Sequence, residues 1–67
     1  MLVYTRNSVY VVRSKETGEF EMERLTGNDI SKIGIGEKTV AKEIRVKVGE
    51  RMTFGDFQTT TVLRVDA

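Results

Sequence analysis

Apolar and polar positions alternate with a period of two along most of this chain, and glycines interrupt the alternation at intervals that predict short strands. Met1 to Thr5 and Ser8 to Arg13 are rich in Val and Tyr and read as two strands. Between them Arg6 and Asn7 form a tight bend, asparagine being a residue that tolerates a left-handed conformation. Lys15 to Gly18 reads as a loop in which Gly18 adopts positive φ. In EFEMERL the period places Phe20 and Met22 on an inner face and Glu19, Glu21 and Glu23 on an outer one. That segment is a half-buried strand with an acidic row.

From Thr26 to Lys38 the pattern lapses into three glycines with Asn28 and Asp29, which predicts a loop long enough to hold a function. A short helical turn starting at Asn28 or Asp29 fits there, since both are good caps. Alternation resumes at Thr39, with Val40, Ile44, Val46 and Val48 on one face, Glu43, Arg45 and Lys47 on the other, and Lys42 as the exception in the apolar row. A three-residue loop, Gly49 to Arg51, keeps apolar opposite apolar by pairing Val48 with Met52 and Val46 with Phe54. At FGDF a two-residue loop, Gly55 and Asp56, sets Phe54 opposite Phe57, and glycine first suits a type II′ turn. In the last segment, FQTTTVLRVD, the period puts Phe57, Thr59, Thr61, Leu63 and Val65 inside and Gln58, Thr60, Val62 and Arg64 outside. Three successive threonines are first a strand signal, because threonine is β-branched.

Five to six short antiparallel strands without a long helix must curl to cover their inner faces. The expectation is an all-β chain forming one small SH3-like or OB-like partly open barrel over residues 1–67, with a strongly bent meander as the other solution. At 67 residues the core is thin, since domains of this size bury only about 60% of their unfolded surface. No cysteine is present to reinforce it.

The lack of both Cys and His removes thiol chemistry, thiolate and imidazole metal ligands and the usual neutral-pH base. Gly34 to Thr39, GIGEKT, does not have the spacing of a phosphate-binding P-loop. A barrel this small fills its interior with side chains and leaves no pocket for acid–base work. No enzymatic activity, metal or cofactor is therefore expected. The opening MLVYTRN has no basic signal region, and no apolar run reaches membrane-spanning length, so the expectation is a cytoplasmic protein with no membrane partner.

Eleven Lys and Arg face ten Asp and Glu, but residues 14–29 hold two basic and five acidic side chains whereas residues 30–51 hold six basic and three acidic. Two surfaces follow from this asymmetry. A protein partner would use the acidic row Glu19, Glu21 and Glu23, together with Asp29 and Lys32 of the central loop. Self-association into a homo-oligomer belongs to the same expectation, because open sheets offer unpaired edges. The alternative partner is nucleic acid, held by Lys42, Arg45, Lys47 and Arg51 with Tyr4 or Tyr10 as a stacking platform. Ordinary solvated charge, with the glutamates paired across the sheet to Arg45 and Lys47, is the competing account of both rows. Convergence of the basic residues without carboxylates among them favours nucleic acid, and interleaving favours protein.

The order TRNSVYVV, FEMERLTG with its Arg-Leu-x-Gly step, IRVKVGERMTF with its Val-Gly-x-x hairpin, and QTTTVLRV at the end resembles small uncharacterised β-rich proteins of actinobacteria and their phages. That resemblance covers most of the chain and implies no catalytic residues. It implies a phage or mobile-element setting, in which the protein binds or inhibits a host macromolecule, or serves as a structural or accessory subunit.

Overall fold

The computed structural model describes residues 1–27 and 33–67. They form seven strands and no helix: β1 (Leu2–Thr5), β2 (Ser8–Ser14), β3 (Phe20–Gly27), β4 (Lys38–Ala41), β5 (Ile44–Arg45), β6 (Arg51–Phe54) and β7 (Phe57–Asp66). All pair antiparallel in one sheet of order β4-β3-β2-β1-β7-β6-β5, curled into a half-barrel. The strands at the two ends of that order, β4 and β5, are joined through Lys42 and Glu43 alone. The carbonyl of Glu43 accepts from Gly55 N at 3.0 Å, which ties this joint to the β6–β7 turn.

The count exceeds the expected five or six because the segment read as one strand from Thr39 breaks at Lys42 and Glu43. That break also changes the phase. Thr39 and Ala41, opposite Met22 and Phe20, are half-buried, while Val40, expected inside, is exposed. After the bend Ile44 and Val46 return to the core.

The core is Val3, Tyr10, Val12, Met22, Ile33, Met52, Phe54 and Val62, with Phe20, Phe57 and Val65 packed against it. Phe20, Met22, Glu21 and Glu23 take the sides the alternation assigns. Tyr10 does not stand outside as a platform: it is 3% exposed and meets Phe57 edge-on, ring centres 6.4 Å apart. Its place follows from pairing with Val3 on one side and Arg24 on the other, both buried.

The β6–β7 hairpin is the one expected, with Phe54 opposite Phe57. Gly55 has φ +58 and Asp56 has no positive φ, as a type II′ turn requires. The β5–β6 connection differs. Ile44, not Val46, pairs with Phe54, and the loop runs over 46–50. A turn closed by Glu50 N on Lys47 O at 3.1 Å, with Gly49 at φ +92 in its third position, leaves Val48 exposed. At the first bend Asn7 is not left-handed, since no described non-glycine residue has positive φ. Thr5 ties that bend instead: its Oγ1 accepts from Ser8 N and donates to Ser8 O, both at 3.1 Å.

β7 departs most from simple alternation. Its register against β6 shifts between Arg51 and Thr53, and its register against β1 shifts between Tyr4 and Thr5. Each shift inserts one extra residue into β7, so the inward positions become Phe57, Thr59, Val62 and Val65. Val62, expected outside, is fully buried, and Leu63, expected inside, is 58% exposed. Thr61 likewise stands opposite exposed Arg51 rather than in the core. The threonine run houses the first of these bulges: Thr59 Oγ1 accepts from Met52 N at 3.2 Å and donates to Thr60 O at 2.7 Å. A buried hydroxyl thereby satisfies the backbone where the ladder is interrupted.

The expected 26–38 loop is shorter, because β3 continues to Gly27 and β4 begins at Lys38. The helical turn expected at Asn28 or Asp29 lies outside the described residues.

Candidate functional site

β1 and β2 are apolar at successive positions, LVY and VYVV, as in strands covered on both faces. Their inward residues fill the core, which leaves Leu2, Tyr4, Val9 and Val11 half-buried on the outer face. There Leu2 pairs with Val11 and Tyr4 with Val9. Two bulges extend this patch. In β3 the register shift between Val9 and Tyr10 of β2 makes Leu25 the extra residue, 41% exposed, and in β7 the extra residue is Leu63. Leu25, Val9, Tyr4 and Leu63 therefore form an apolar row across β3, β2, β1 and β7. Alternation places Leu25 outside with Glu21 and Glu23, as found, but puts Leu63 inside, because an inserted residue inverts the phase beyond itself.

Charges border the row on both sides. Arg13 Nη1 lies 3.3 Å from Glu21 and 3.6 Å from Glu23, and Lys38 stands opposite Glu23. On the other side Arg64 sits 4.8 Å above the Tyr4 ring and donates to both carboxylate oxygens of Asp66, at 3.0 and 2.7 Å. The hydrogen bonds from Arg64 hold the Asp66 carboxyl below its ordinary value, and the same pairing raises Arg64. Of the acidic row, Glu21 and Glu23 thus edge the apolar patch. Glu19 lies in the β2–β3 turn and accepts from the Thr17 hydroxyl at 3.2 Å. Asp29 and Lys32 lie outside the described residues.

No protein family, curated protein or solved structure matches the chain. Its sites rest on geometry alone.

The basic set does not assemble around aromatic platforms. Tyr10 is in the core and Tyr4 lies under Arg64. Arg45 and Lys47 both meet Glu50, at 3.2 and 3.6 Å, rather than the glutamates of β3, and Lys42 is exposed in the bend beyond β4. Arg51 belongs to a different constellation. Among the described residues, a recess of about 310 Å³ is lined by Arg6, Asn7, Arg51, Thr60 and Thr61, none of them a carboxylate. Register pairs Arg51 with Thr61, and Arg6 N donates to Thr61 O at 3.1 Å, so the two arginines flank β7 beside its threonine bulge.

Arg24 is a residue the alternation places inward but no functional pattern marks. It is 3% exposed, with Nε donating to Ser8 Oγ at 3.1 Å and Nη1 to Ile33 O at 3.0 Å. Among the described residues no buried side-chain polar atom lacks a partner, and no helix is long and apolar enough to cross a membrane.

Proposed function

We propose that the protein is a non-enzymatic interaction module that works through the outer face of β1 and β2, and that a second copy of the chain covers this face. The apolar row Leu25, Val9, Tyr4 and Leu63 carries the reading. A contiguous apolar patch rimmed by polar residues is the usual mark of a protein contact.

The rim supports a second copy over other partners. Arg13, Lys38 and Arg64 are balanced by Glu21, Glu23 and Asp66, so two such faces do not repel and a strongly charged partner gains nothing. An isologous contact needs this compatibility of a surface with itself. The scaffold reads as a small barrel of the SH3-like or OB-like kind, and the absence of cysteine suits a cytoplasmic location. In the phage or mobile-element setting that the resemblance implies, the assembled form is the one that binds or decorates a host macromolecule.

Sedimentation equilibrium over a range of concentrations tests the proposal. The wild type is expected to dimerise reversibly, and Leu63→Glu, at an exposed position, to remain a folded monomer. A wild type that stays monomeric up to millimolar concentration, or a Leu63→Glu variant that dimerises equally well, would overturn it.

A further inference from the structure

We propose that the recess between Arg6 and Arg51 is a phosphate-binding site. Among the described residues neither arginine is in an ion pair, whereas Arg13, Arg45 and Arg64 each meet a carboxylate, at 3.3, 3.2 and 2.7 Å. Two unneutralised guanidinium groups on one recess repel each other, and an anion between them removes that repulsion. Two other lining residues, Thr60 and Thr61, add hydroxyl donors.

The donor set selects among anions. A carboxylate presents two coplanar oxygens that one arginine fork already engages, whereas the terminal oxygens of a tetrahedral phosphate, three in a monoester and two in a diester, diverge so that two forks and neighbouring hydroxyls can share them. At about 310 Å³ the recess has room beyond a single phosphate for the group that bears it, and it opens to solvent. The fold builds the site at the β7 bulge, where the strand bends and its backbone is locked by Thr59. Bulges commonly re-aim side chains in this way. The lining of the recess shares no residue with the apolar row Leu25, Val9, Tyr4 and Leu63, so neither proposal depends on the other.

The shared chemistry, a phosphate flanked by two arginines, has two sources: a phosphate monoester, or the backbone of a nucleic acid. NMR titration of the isotope-labelled full chain with inorganic phosphate, thymidine monophosphate and a short oligothymidylate, at constant ionic strength with chloride as the control anion, distinguishes them. Saturable shifts are expected at Arg6, Arg51, Thr60 and Thr61. Arg6→Gln and Arg51→Gln should each weaken binding about tenfold or more, the scale of a lost charge-assisted contact. Arg45→Gln, whose charge Glu50 already neutralises, should change it less than about twofold. Oligothymidylate binding at these residues that, when its titration is repeated at several chloride concentrations, falls with a log–log salt slope of about −1.4 for two contacts assigns the site to a nucleic-acid backbone. Saturation by the small phosphates with no gain from the oligonucleotide assigns it to a monoester. Shifts that do not saturate, or that spread equally over Lys15 and Lys42, overturn the proposal.

Discussion

Arg24 and Ser8 are joined inside the curl of the sheet by a hydrogen bond from Nε to Oγ of 3.1 Å, and this contact locks β3 to β2 where the β3 bulge would otherwise loosen them. The same guanidinium reaches Ile33 O, while the Arg24 backbone pairs with Gly36 N at 2.8 Å and Glu37 O at 3.2 Å. One residue thus anchors the segment leading into β4. Gly27 leaves the space for it: a Cβ there would meet the Arg24 guanidinium and lie 2.6 Å from Ser8 Oγ.

Gly27→Ala is therefore expected to cost about 1–3 kcal/mol as an overpacking change. Ser8→Ala should cost about 1–3 kcal/mol by leaving a charged donor short of a partner. The double variant should lose less than the sum, because removing the hydroxyl opens room for the new methyl group. Urea unfolding of the four proteins measures the coupling, and strict additivity would show that the two side chains do not share this space.

The threonines of β7 separate in the same way. Thr59→Val keeps the shape but deprives Met52 N of its acceptor, and it should cost about 1–3 kcal/mol. Thr61→Val, on the far side of the bulge, should stay within about 0.5 kcal/mol. Equal effects at the two positions would contradict the bulge register.

How much of this was legible follows from where residues are inserted. Phe20, Met22, Glu21 and Glu23 alternate without interruption, and so does the Phe54–Phe57 hairpin, so period and turn chemistry were enough to place them. Leu63 was not legible, because a bulge depends on pairing with another strand rather than on local sequence, whereas the outward side of Leu25 follows from the same phase as Glu21 and Glu23. Val40 was misplaced for a related reason: the bend at Lys42 and Glu43 exists to carry the chain between the two ends of the sheet. A signal for the outer patch was nevertheless present, since LVY and VYVV carry apolar residues in both phases. The Arg6–Arg51 recess joins positions 45 residues apart along the chain, and neither residue belongs to a local motif. Tyr10 was not legible for the same reason: VYVV leaves its side open, and pairing with Val3 and Arg24 is what sets it in the core.

The Arg64–Asp66 pair makes a prediction about pH. Hydrogen bonding from Arg64 depresses the Asp66 carboxyl in the folded chain. A depressed folded value means that the stabilisation is present above the unfolded aspartate value and is lost as pH falls through the folded one. The Asp66 carboxyl carbon should thus titrate below the ordinary aspartate range, and Arg64→Gln should return it upward. The difference in urea midpoint between the wild type and Asp66→Asn should shrink as pH falls through that folded-state value. An Asp66 titration that Arg64→Gln leaves unmoved would show that the pair does not persist in solution.

Neighbouring residues at the second β7 bulge give the sharpest contrast. Val62 is fully buried and Leu63 is 58% exposed, the reverse of simple alternation from Phe57. Val62→Ala removes two methyl groups from the core and should cost about 2 kcal/mol. Leu63→Ala, measured in dilute monomer, removes apolar surface that faces water and should stay within about 0.5 kcal/mol. The order of these two values in urea unfolding reports directly on whether the bulge is present. If Leu63→Ala were the costlier substitution, β7 would run unbulged, Leu63 would be a core residue, and the apolar row on the outer face would lose one of its ends.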